Sequence, residues 1–110
     1  MALLVLSTDA ALRARLAGAL RGRVQAVWCC DTVEEARGAL AQGGVRTLVV
    51  EARDGRGRNC DALVRETRER WPALPILGVW EPGVTGSADA RALLEAGVHE
   101  LIVRSMDVGG

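Results

Sequence analysis

Few side chains in this sequence can do chemistry, and their spacing excludes several kinds of it. The single histidine, His99, has no second histidine to share a relay or a metal, and reads as a strand-edge residue. Cys29, Cys30 and Cys60 form an odd set with one adjacent pair and no C-x-x-C spacing, which suits neither a disulfide framework nor a zinc site. Adjacent cysteines form a strained disulfide, so redox sensing by Cys29-Cys30 ranks below a structural role. Arg53, Arg56 and Arg58 alternate with Gly55 and Gly57 in a loop whose backbone N–H groups could meet an anion. Neither G-x-G-x-x-G nor G-x-x-x-x-G-K-[ST] is present, so the loop is expected to be solvated and mobile. Glu51 and Arg104 each follow a short apolar run. A guanidinium matches a carboxylate fork, so the two are expected to pair if those runs lie side by side.

The elements that would position these residues alternate strictly. Strands are predicted over Leu3–Leu6, Val24–Trp28, Thr47–Val50, Ile76–Trp80 and His99–Val103. Between them, helices are predicted over Ala10–Leu20, from the Asp31-Thr32-Val33-Glu34 cap to about Ala41, over Cys60–Trp71, and over Ala88–Ala96 before Gly97. Leu12, Leu16, Ala19 and Leu20 share one face of the first helix. The pattern is (βα)4β: an α/β, doubly wound, five-stranded parallel sheet with right-handed crossovers. Ligands of such sheets bind beyond the carboxyl ends of the strands. The candidates are therefore Ser7 to Asp9, Glu51 to Asp54, Trp80-Glu81 and Arg104-Ser105.

Composition narrows the class. The 110 residues suit one domain, and 49% hydrophobic with 25% charged residues suits a folded one. Fourteen arginines, with no lysine, balance fourteen acidic residues, leaving no net field to recruit nucleic acid or a membrane surface. The N-terminus lacks the pattern of a signal peptide and no apolar run approaches spanning length, so a reduced, cytoplasmic setting is expected.

Four stretches in the right order resemble the receiver domain of bacterial response regulators, whose fold is flavodoxin-like (CheY-like). They are LLVLSTDAALRARLAGAL, VQAVWCCDTVEEARGAL, NCDALVRETRERWPALPILGVWE and LLEAGVHELIVRS, together covering essentially the whole chain. The resemblance implies a phosphorylation pocket at Ser7, Thr8, Asp9, Glu51, Trp80 and Arg104; the family counterpart of Asp9 usually stands behind the metal pair, and the other positions depart from the family. Ser7-Thr8 stand where the family has a magnesium-binding acidic pair, and hydroxyls are weak ligands for a hard dication. Glu51 stands for the phosphoacceptor Asp, one methylene too long for a geometry in which an error of about 1 Å is costly. Trp80 replaces the switch Thr/Ser, Arg104 the Lys, and Ser105 the Pro after it. Glu51 then either mimics the phosphorylated state or is a polar strand end. Trp80 either anchors a partner or fills the vacated pocket.

A receiver usually ends in a fifth helix, and only Met106 to Gly110 follow the last strand here. Leu48, Val50, Leu77, Val79 and Ile102 are therefore expected to meet water in part, unless the chain continues or a partner covers them. The expectation is one receiver-like domain over 1–110, the amino-terminal part of a longer regulator. It would be a non-enzymatic interaction module without metal or cofactor, working independently of phosphorylation in a two-component-type pathway. Its partner would be another protein or a second copy, docked on the face lacking the helix. The first alternative is a receiver that still accepts a phosphoryl group at Glu51 or Asp54. A flavodoxin-like small-molecule binder ranks lower, for want of a phosphate loop after the first strand.

Overall fold

The computed structural model describes residues 2–19, 26–80 and 86–103. Five strands, β1 (Ala2–Leu6), β2 (Ala26–Cys30), β3 (Val45–Glu51), β4 (Ile76–Trp80) and β5 (Glu100–Val103), form one parallel sheet in the order β2-β1-β3-β4-β5. Four helices connect them: α1 (Ala10–Ala19), α2 (Val33–Gln42), α3 (Asp61–Arg70) and α4 (Ser87–Ala96). This is the doubly wound flavodoxin-like arrangement the alternation predicts.

Consecutive apolar residues in the central strands serve two layers. Leu4, Leu6, Leu48, Val50 and Ile76 point to one face and pack with Val33, Ala36 and Leu40 of α2, Leu63 and Val64 of α3, and Leu93 and Ala96 of α4. Leu3, Val5, Val49 and Val79 point to the other and pack with Leu12 and Leu16 of α1. Each fully buried Leu or Ile side chain contributes about 1.5–3 kcal/mol relative to an exposed one. The expected exposure is corrected here. Leu48 and Val50 are fully buried because they lie under the three-helix layer, and Val79 is buried on the α1 side. Leu77 and Ile102 keep partial exposure.

Local chemistry fixes the helix ends. The cap of α2 falls one residue later than predicted. Thr32 is the N-cap and its hydroxyl accepts from Glu35 N–H at 3.2 Å, while the Glu35 carboxylate reaches back to Thr32 Oγ1 at 3.1 Å and Asp31 N–H at 3.3 Å. Gly97 ends α4 in the left-handed region (φ 117°), its N–H donating to the Leu93 and Leu94 carbonyls. A bidentate pair, Arg37 to Glu66 at 2.9 Å, joins α2 to α3. β2 also lies later than predicted, ending at Cys30. Of the segment read as its start, Val24 and Gln25 lie outside the described residues, as does Leu20 of the first helix.

Candidate functional site

Parallel strands deliver all their C-terminal ends to one edge. The registers Leu6↔Val50, Glu51↔Val79 and Trp80↔Val103 place Ser7, Glu51 and Trp80 along it, as the sequence predicts. Arg104, Ser105 and Glu81 lie outside the described residues, and so does the expected Glu51–Arg104 pair. Glu51 is half-buried at the end of β3, and Trp80 is half-buried at the end of β4.

The first loop is spent on holding α1. The Asp9 carboxylate accepts from Ala11 N–H at 2.8 Å and Leu12 N–H at 3.1 Å, an N-cap on the positive end of the helix dipole. Ser7 is buried and its hydroxyl accepts from Asp9 N–H at 3.0 Å. Thr8 is exposed. Arg13 folds back from α1, donating to the carbonyls of Ser7 (2.7 Å from Nε) and Cys30 (3.1 Å) and to the Asp31 carboxylate. A magnesium ion needs free anionic oxygens. Here one carboxylate caps a helix and its neighbour is a hydroxyl already engaged, so this donor set does not fit one. Among the described residues no three His, Cys, Asp or Glu side chains gather as a metal-holding group.

The loop after β3 is organised by Asp54. Its side chain is 0% exposed, and Oδ1 accepts from the N–H groups of Arg56 (2.9 Å) and Arg58 (3.0 Å). Oδ2 accepts from Val33 N–H (3.1 Å) and from the Arg58 guanidinium (2.8 Å). Burial pushes this carboxyl up, but the hydrogen bonds from Val33 and Arg58 outweigh it and hold the pKa at about 2. Both oxygens are engaged and no side-chain surface is exposed, so a phosphoryl acceptor role for Asp54 would first cost these hydrogen bonds. Further hydrogen bonds tie the loop to its neighbours. Arg58 bridges Asp54 and Glu34 (2.6 Å), Arg53 donates to Asp89 on α4 at 3.3 Å, and Gly55 N–H donates to Asp31 O at 2.6 Å. A Cβ at Gly55 would lie 2.9 Å from Asp31 O and 3.2 Å from Thr8, so three loops meet where only glycine fits.

Cys30 and Cys60 are buried, and burial pushes each thiol up to about 12, away from reactive thiolate. Cys29 is exposed on β2. His99 sits just before β5, and its Nδ1 accepts the N–H of Ile76 at 3.0 Å. Sequence reasoning missed the roles of Asp54 and Arg13. The available signal was local: Asp-x-Arg-x-Arg beside glycines is an Asx-turn composition.

No known family profile matches the chain. Over 64 residues it is 39% identical to inosine-5'-monophosphate dehydrogenase of Escherichia coli K12, a match spanning 58% of this chain and 12% of that enzyme. Among solved structures it is similar to a protein assigned as a response regulator from Chloroflexus aurantiacus J-10-fl. There the TM-score is 0.76 at 23% identity, covering 94% of this chain and 84% of that one. It is similar to the receiver domain of NtrX from Brucella abortus, with TM-score 0.72 at 19% identity over 94% and 85% of the two chains. It is also similar to the beryllofluoride-activated NtrC4 receiver domain dimer, with TM-score 0.76 at 15% identity over 98% and 87%. The chain therefore has the flavodoxin-like fold of response-regulator receiver domains.

Proposed function

We propose that the chain is a receiver-like interaction module of a two-component-type pathway, working without phosphorylation as the amino-terminal domain of a longer, cytoplasmic transcription regulator. The observation that carries this reading is the commitment of the carboxylates around the pocket. Asp9 caps α1, Asp54 anchors its loop, and the β3 end carries Glu51. A phosphoryl site needs free carboxylates to gather a dication and one aspartate aimed for in-line attack. Glu51 then supplies standing negative charge at the position a phosphoryl group would occupy.

The partner surface in this reading is the α1 side of the sheet. Among the described residues α1 is the one helix packed there, and Leu77 and Ile102 stay partly exposed. The NtrC4 receiver domain was solved as a dimer, which supports protein contact as the output of this fold. A 64-residue likeness to 12% of a dehydrogenase lends no activity on its own. No helix among the described residues is long and apolar enough to cross a membrane.

The test is incubation with acetyl phosphate and magnesium, followed by intact mass and peptide mapping. The unmodified mass is expected. A stoichiometric phosphoryl adduct on Glu51, lost in Glu51→Gln, would establish an atypical acceptor and overturn phosphorylation independence.

A further inference from the structure

Among the described residues strand β2 forms one edge of the sheet, hydrogen-bonded only to β1. Proteins usually blunt such edges with charge, proline or a bulge. Ala26-Val27-Trp28-Cys29-Cys30 carries none of these, and its register against β1 is unbroken. The opposite edge, β5, is shorter and opens with exposed Glu100. Trp28 is 37% exposed, one of two exposed large hydrophobic residues among those described. Behind it lies a groove of about 360 Å³ between β2 and α2, lined by Leu4, Trp28, Gly38, Ala39 and Gln42 with Glu35 as its one charged wall. A Cβ at Gly38 would meet nothing within 4 Å, so the groove is open on the helix side.

Backbone direction decides what can fill it. Cys30 O accepts from Ser7 N–H, so the Cys30 amide and carbonyl point toward β1. By alternation those of Trp28 do too, and those of Val27 and Cys29 point outward. We propose that this edge pairs antiparallel with β2 of a second copy, aligned on Trp28. In that register Val27 of each copy faces Cys29 of the other, and the two outward N–H and two outward C=O groups per chain form four hydrogen bonds. The two Trp28 residues then form the non-hydrogen-bonded pair, whose Cα atoms lie about 4.5 Å apart. The two indoles lie side by side in the joined groove on the α2 face. Antiparallel pairing of this edge with itself is isologous, the same patch on both copies, and closes at two chains. The surface is separate from the pocket and from the α1 face, and stands whether or not the pocket takes phosphate.

Sedimentation and light scattering of the full chain are expected to show a monomer–dimer equilibrium between about 10 and 200 µM, as befits a small interface. Hydrogen exchange at the Val27 and Cys29 amides should slow with concentration, while the β1-bonded Trp28 amide stays protected throughout. Trp28→Lys should weaken the dimer at least tenfold. Val27→Pro, which deletes only an outward N–H and is tolerable at an edge, should do the same with the monomer's melting unchanged. A wild-type chain monomeric across that range overturns the proposal. So does a dimer whose affinity and β2 exchange are unmoved by either variant, which would place the contact elsewhere, as on the α1 face.

Discussion

Replacing Asp54 tests how the site loop is held. In Asp54→Ala the N–H groups of Val33, Arg56 and Arg58 lose their acceptor and Arg58 loses one of its two carboxylates. The pKa held at about 2 against an ordinary 3.8 corresponds to ~2 kcal/mol, one unit being ~1.4 kcal/mol. Arg58 is 45% exposed, so water screens part of this and ~1–2 kcal/mol is the better figure. The Arg56 and Arg58 amides belong to exposed residues and can turn to water, whereas the Val33 amide is buried and adds ~1–3 kcal/mol when orphaned. The two contributions overlap, so ~2–4 kcal/mol is expected, or a melting temperature lower by roughly 10–15 °C in a domain of this size. Asp54→Asn keeps one carbonyl acceptor and should lose about half as much.

The sign of the pH dependence follows from the depressed pKa. Asp54 is ionised in the folded chain down to about pH 2 and in the unfolded chain only above about pH 4. Its contribution is therefore fully present above pH 4 and lost as the pH falls from 4 toward 2. Urea unfolding followed by tryptophan fluorescence at pH 7 and at pH 3 measures it. The gap between wild type and Asp54→Ala should narrow at the lower pH. A gap under about 0.5 kcal/mol at pH 7, the level of an ordinary surface change, would refute the anchoring role. A gap of equal size at both pH values would refute the charge argument.

His99→Phe should orphan the N–H of fully buried Ile76 and cost ~1–3 kcal/mol in the same assay; an unchanged stability would show that water takes over the bond. Gly78→Ala should destabilise by ~1–3 kcal/mol, because the added Cβ lies 2.9 Å from Leu101 Cδ2 and 3.3 Å from Leu93 Cδ1. A wild-type melting temperature would mean that those side chains yield freely. Magnesium should give no saturable change in tryptophan fluorescence or calorimetric heat below ~1 mM, since the first loop offers a capping carboxylate and an engaged hydroxyl. Saturation in that range would show that the β1 loop rearranges to free its oxygens.

The fold was legible because its signals are local. Thr47–Val50 reads as a doubly covered strand from four residues, and Gly97 stops α4 where the pattern ends. What could not be read was which layer each side chain enters. Val49 and Val50 are equally apolar, and only the register against β1 and β4 sends Val50 under three helices and Val49 toward α1. The misplaced exposure of Leu48 and Val50 follows from that gap, since periodicity of two names alternate faces without saying which face is which.

The site was legible as a set of positions and much less so as a set of roles, because roles depend on who donates to whom across loops. Asp9 reads as a leftover acidic residue behind Ser7-Thr8, yet its two backbone hydrogen bonds make it the cap of α1. Asp54 reads as a spare acceptor three residues past Glu51, yet its fourth hydrogen bond comes from Val33, 21 residues away on α2. Arg13 draws no role from the sequence, yet it ties the ends of β1 and β2 together through Ser7 and Cys30. The three side chains share one consequence. In a pocket whose charged groups are already spent on its own loops, a phosphoryl group or a dication has to displace structural hydrogen bonds before it gains any of its own. A pocket with free carboxylates carries no such cost. That cost supports the proposed reading of Glu51 as a constant charge in place of a reversible chemical switch.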